Sequence, residues 1–79
     1  MSRTVHVWCR QDSDPDSRTV YADGRPIGHI VHAGRNRWRP LDEPGTAPMS
    51  AHDAAWAVTR RHPATAAAAI LQVGGGCDS

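Results

Sequence analysis

The chain has no phenylalanine and no lysine, and only two leucines and three isoleucines among its 79 residues. Its hydrophobic residues are mostly small: twelve are alanine, against six valines, three tryptophans, two methionines and one tyrosine. That is thin material for a core, and domains below roughly 70–80 residues gain only about 3–5 kcal/mol from one. A partner or self-association is therefore as natural an expectation as a marginal monomer. The length allows one domain and excludes two. No stretch approaches the roughly 18 consecutive apolar residues of a membrane span. The opening MSRTVHVWCRQ lacks the apolar stretch and small-residue cleavage site of a signal peptide. Two cysteines, Cys9 and Cys77, are too few for a disulfide framework, and Cys77 lies in a glycine-rich tail where a bridge is hard to hold. Reduced thiols in a cytoplasmic protein are the expectation.

Charge is nearly balanced, with nine arginines against eight acids and a net of +1. Arginine without lysine is a composition of high-GC genomes and carries no functional information. The placement is more telling. Arg25, Arg35, Arg37 and Arg39 have no acid between them, while the acids gather at Asp12, Asp14 and Asp16 and at Asp42 and Glu43. A near-neutral total thus conceals a locally positive surface.

Residues 4–10 alternate, with Val5, Val7 and Cys9 on one side and Thr4, His6, Trp8 and Arg10 on the other, which predicts a half-buried strand. A one-residue slip in that register would send Trp8 into the core. Residues 11–17 form a polar loop, and 18–22 a second strand with Val20 and Ala22 opposite Thr19 and Tyr21. Asp23-Gly24 is a hairpin signal, because a tight turn needs positive φ. A third strand follows over 27–33, a turn over 34–36 and a short fourth strand over 37–41, ended or held at an edge by Pro40. Residues 42–49 are a loop with two prolines and one glycine.

Ser50 is placed to cap a helix from 51 to about 62, with Asp53 at its third position. Ala51, Ala54, Ala55, Val58 and His62 share its inner stripe, and Arg60, Arg61 and His62 fall in its last turn. Pro63 ends, kinks or restarts the helix, and 64–73 predicts a second one stopped by three glycines. The expected fold is α+β: a small antiparallel sheet of three to four strands followed by one or two C-terminal helices packed on one face. Residues 1–73 make one domain and 74–79 a flexible tail.

The pattern that points to function lies on the sheet. With the valines inward, Trp8, Arg10 and Tyr21 face outward, and Arg35, Arg37 and Arg39, two apart, project to one side with Trp38 on the other. Arginines neutralise phosphates and pair with guanine edges, and aromatic rings stack on unpaired bases. A nucleic-acid-binding face built of Arg10, Arg35, Arg37, Arg39, Trp8 and Tyr21 is the leading expectation. The same residue types suit a protein interface, including a homodimer, or a solvated face with arginine stems over aromatics. Trp56, on the flank of the helix, either closes the rim of the core or joins such an interface. A small antiparallel sheet followed by a helix is similar in topology to the DNA-binding domains of phage integrases and AP2-type regulators, which insert a three-stranded sheet into the major groove. The likeness is topological, and the chain carries no motif of either family.

Other chemistries have weaker support. His6 with Cys9, and His29 with His32, are three apart, so on strands each pair points to opposite faces and cannot share a metal. Asp12, Asp14 and Asp16 imitate the start of a calcium loop, but Ser17 stands where glycine is needed and Asp23 where a bidentate glutamate is usual. The three C-terminal glycines follow a helix instead of opening one, so they are not a phosphate loop. No nucleophile signature or cofactor motif is present, and neither catalysis nor a small-molecule substrate is expected.

Overall fold

The computed structural model describes residues 4–71. Strand β1 (Val5–Gln11) leads through an acidic loop to β2 (Ser17–Ala22), then β3 (Arg25–His32) and a short β4 (Trp38–Pro40). Helix α1 (Ala51–Thr59), helix α2 (Pro63–Ala68) and strand β5 (Ala69–Leu71) complete it. The sheet order is β4-β3-β2-β1-β5, antiparallel throughout except for β5, which runs parallel to β1. The α+β fold with a small antiparallel sheet and two C-terminal helices is as expected; the fifth strand adds to it.

Local chemistry explains the joints. Asp23 and Gly24 take φ values of 49° and 87°, the left-handed pair that a two-residue hairpin requires. The Asp23 backbone N–H donates to His6 O at 2.9 Å, and its Oδ1 accepts from His6 N at 3.1 Å, so the turn is pinned to β1. Pro26 has no N–H for the ladder, and the β2–β3 register shifts between Val20 and Tyr21 to accommodate the irregularity. Ser50 caps α1 by accepting from Asp53 N at 3.1 Å.

The helix ends sooner than its pattern suggests. It stops at Thr59, so Arg60, Arg61 and His62 lie beyond its last turn, and His62 is exposed while Thr59 is buried and donates back to Ala55 O at 2.8 Å. Arg61 is drawn instead to Asp42 and Glu43 in the loop after β4. Pro63 opens α2 at its first turn, where a missing N–H costs nothing. The predicted second helix over 64–73 gives way at Ala69 to β5, because pairing with Val5–Val7 satisfies the backbone that a short alanine helix would leave to water. The proposed tail, residues 74–79, lies outside the described residues.

Among the described residues, the core lies on one face of the sheet. Val7, Cys9, Val20, Ala22, Ile30 and Trp38 meet Ala51, Ala54, Ala55 and Val58 of α1, which lies across β3 and β4. The small stripe lets the helix approach closely, and Gly28 in β3 is where Val58 settles. Trp38 is sealed at one end of this face by the Arg18 guanidinium, 4.3 Å above its ring, and by His32, 5.1 Å away. Its backbone exchanges two hydrogen bonds with Met49, which covers part of the β4 edge. Cys9 lies on the same inner face, and Cys77 lies outside the described residues. No helix among the described residues is long and apolar enough to cross a membrane.

Candidate nucleic-acid interface

Because Val7 and Cys9 point inward, His6, Trp8 and Arg10 of β1 point to the opposite face, and the β1–β2 register sets Trp8 beside Tyr21 and Arg10 beside Thr19. The same alternation brings His29 and Val31 of β3 and Arg39 of β4 to this open face. The register with Trp8 outside is the one that forms. Its ring stacks on Tyr21 with centroids 5.8 Å apart and planes 16° from parallel, and both residues stay half-buried. Arg10 is exposed two residues along from Trp8, whereas Arg39 is half-buried and its Nε is covered without a hydrogen-bond partner.

Four of the six residues expected to form the interface are thus brought together: Trp8, Tyr21, Arg10 and Arg39. Arg35 is not among them, while Arg37 lies just before β4 with its carbonyl accepting from Ala33 N at 2.8 Å. The chain turns at Gly34 and Asn36, whose φ values of 134° and 56° take it out of extended conformation, so β4 begins only at Trp38. Arg35 sits in that turn and Arg37 just after it, both exposed. This turn also lies at the same end of the sheet as the acidic loop, since His32 N donates to Asp16 O at 2.8 Å. The separation of basic and acidic residues along the sequence does not persist there in space.

The upper row of the open face holds a network that composition does not reveal. Thr19 Oγ1 donates to Asp12 Oδ1 at 2.6 Å and Ser17 Oγ to Asp12 Oδ2 at 2.8 Å. These hydroxyls, Thr19 first and Ser17 second, hold the Asp12 carboxyl below the ordinary carboxylate range. Thr19 Oγ1 also lies 3.2 Å from His29 Nδ1. Since the hydroxyl has already given its proton to Asp12, Nδ1 is the donor in that contact. Asp12 was legible only as a loop acid and His29 only as a strand histidine; the link between them needs the β2–β3 register.

The rest of the acidic loop holds its own turn and the end of β3, where His32 Nδ1 lies 3.6 Å from Asp16 Oδ1. Asp14 Oδ1 accepts from Asp16 N at 3.0 Å, and Ser17 N donates to Asp14 O at 3.1 Å. No group of three metal-ligating side chains forms among the described residues. His29 and His32 fall on opposite faces, with His32 beside Trp38. Trp56 is half-buried against the core, and its indole N–H donates to His52 Nε2 at 3.2 Å, one helical turn back. A cleft of about 450 Å³ near the β2–β3 turn is lined by Val5, Ala22, Asp23, Arg25 and Thr65, apart from the aromatic pair. Comparison with protein-family models, with curated proteins and with solved structures finds no match.

Proposed function

We propose that the protein is a small accessory or regulatory nucleic-acid-binding domain whose open sheet face is the contact surface. One observation carries this reading: α1 packs on one face of the sheet, and the other displays the Trp8–Tyr21 stack with Arg10 next to it and Arg39 farther off, beside Val31. Arginine on such a surface takes phosphate oxygens, and the aromatic pair offers a stacking surface beside it. The role is binding, not catalysis. A cytoplasmic setting goes with it. Cys9 lies on the inner face, away from the contact surface.

A non-catalytic protein-interaction module, as homodimer or adaptor, is the competing reading. Trp56 supports it less than the sequence suggested, because its ring packs on the core and its N–H is already bonded. A salt titration tests the proposal. Two phosphate contacts, at Arg10 and Arg39, give a slope of log K against log salt of about −1.4 to −1.8, or a loss of about 7- to 12-fold between 50 and 200 mM. Arg10→Ala with Arg39→Ala should abolish that slope. Salt-independent binding, or no binding at low salt, refutes the proposal.

A further inference from the structure

We infer that His29 is a further phosphate contact of the open face, one that operates only when its ring is protonated. Nucleic-acid binding then strengthens as pH falls, an inference that rests on the nucleic-acid reading of this face. The registers define where His29 stands. Trp8 lies beside Tyr21, and the adjoining row holds Arg10, Thr19 and His29. A further row holds Ser17, Val31 and Arg39, and Asp12 joins its end by donating its N–H to Ser17 O at 3.0 Å. His29 is thus two strands from Arg10, about 9.6 Å, in the row that borders the aromatic pair. A phosphate backbone that passes the Trp8–Tyr21 stack and touches Arg10 meets His29 in the same row.

The ring is held for this role. Thr19, buried, keeps its Oγ1 3.2 Å from His29 Nδ1, while the histidine side chain remains 46% exposed. Nδ1 is therefore occupied within the face, and Nε2 has no partner among the described residues. When a neutral ring carries its proton on Nδ1, Nε2 offers a lone pair, which repels a phosphate oxygen. A second proton makes Nε2 an N–H donor on a cation, and histidine is the side chain that gains this charge between pH 8 and pH 5.

The charges around the ring set the sign of the effect. Asp12 Oδ2 lies 3.9 Å from His29 Nδ1. The Thr19 and Ser17 hydroxyls hold the Asp12 carboxyl below the ordinary carboxylate range, so it stays negative throughout. Thr19 and Tyr21 face His29 from β2. Arg39 stands diagonally across the β3–β4 pair, and Leu41, whose N–H donates to His29 O at 3.0 Å, brings no charge. With His29 neutral, the Asp12 carboxylate offsets Arg10 two residues before it. With His29 charged, the carboxylate is matched, and both Arg10 and His29 act on phosphate. His6 is the other histidine of this face, exposed beside Asp23, whose Oδ1 accepts from its backbone N–H.

The test is fluorescence anisotropy with labelled oligothymidine and a labelled duplex of equal length, at pH 8 and pH 5.5 and at 50 and 200 mM salt. One added phosphate contact should steepen the slope of log K against log salt by about 0.7–0.9 at pH 5.5. At 50 mM salt that is a gain in affinity of about 8- to 15-fold, taking 1 M as the point where the ionic contribution vanishes. His29→Gln keeps a polar side chain without the charge, and it should bind as wild type does at pH 8 and lose the acid gain. His6→Gln should keep the gain. Asp12→Asn should keep it too, and bind more tightly than wild type at pH 8. Affinity that does not change with pH, or a His29→Gln chain that retains the gain, overturns the inference while the nucleic-acid reading stands. Loss of the gain in Asp12→Asn also overturns it, because protonation would then act by closing the acidic loop and not by contact. Failure of both probes to bind at either pH overturns both readings. The wild-type comparison needs no variant, so it decides even where a substitution disturbs folding.

Discussion

Replacing Gly28 by alanine is the sharpest perturbation of the scaffold that holds the open face. A Cβ built on Gly28 would lie 2.5 Å from Val58 Cγ1, well inside an ordinary carbon–carbon contact. Val58 is 1 % exposed and belongs to the stripe by which α1 lies on β3, so it has little room to withdraw. Overpacking of this kind costs about 1–3 kcal/mol. Losing a glycine also restricts the unfolded chain, which offsets about 0.4–1 kcal/mol. The net loss is about 1–2 kcal/mol, and at 4–8 °C per kcal/mol for a domain of this size the melting temperature falls by about 4–16 °C. Calorimetry or circular-dichroism melts read this directly. A double-mutant cycle makes it specific. Val58→Ala removes two buried methyl groups and costs about 1.6 kcal/mol by itself. It also clears the space the new Cβ needs, so the pair should cost less than the sum by about 0.5–3 kcal/mol. A Gly28→Ala chain that melts with wild type, or two costs that simply add, would show that the helix does not sit on this glycine.

Two further outcomes follow from the caps and the acidic loop. Ser50→Ala removes the acceptor for Asp53 N and should cost about 1 kcal/mol, or 4–8 °C in a thermal melt, with Ser50→Asn close to neutral. Asp12 has a folded pKa below its unfolded value, so its contribution is complete above the ordinary carboxylate value near 3.9 and is lost as pH falls through the lowered one. Urea unfolding at successive pH values should therefore show an acid limb that is shallower in Asp12→Asn; an identical limb would mean that the Thr19 and Ser17 hydroxyls do not hold the carboxylate.

Local rules made much of this molecule legible in one dimension. Alternation at Val5, Val7 and Cys9 fixes which side of β1 turns inward, Asp23-Gly24 fixes the hairpin, and Ser50 with Asp53 fixes where α1 begins. From these the Trp8–Tyr21–Arg10 grouping follows, because period-two geometry needs only the residue order. Three features required the folded chain. Ala69–Leu71 became a strand because β1 had an unpaired edge to offer, a condition outside the segment itself, whose composition favours helix. Arg35 left the arginine row because Gly34 and Asn36 turn the backbone, while spacing alone assumes that it stays extended. The Asp12–Thr19–His29 network joins residues 7 and 10 apart that only the β2–β3 register and the folded loop set side by side. The sequence by itself determined the fold class, the inward valines and the aromatic character of the outer face, since each depends on local periodicity. Tertiary structure alone decided the width of the sheet, which arginines share a face and where the acids lie against them, since each depends on partners distant in the chain.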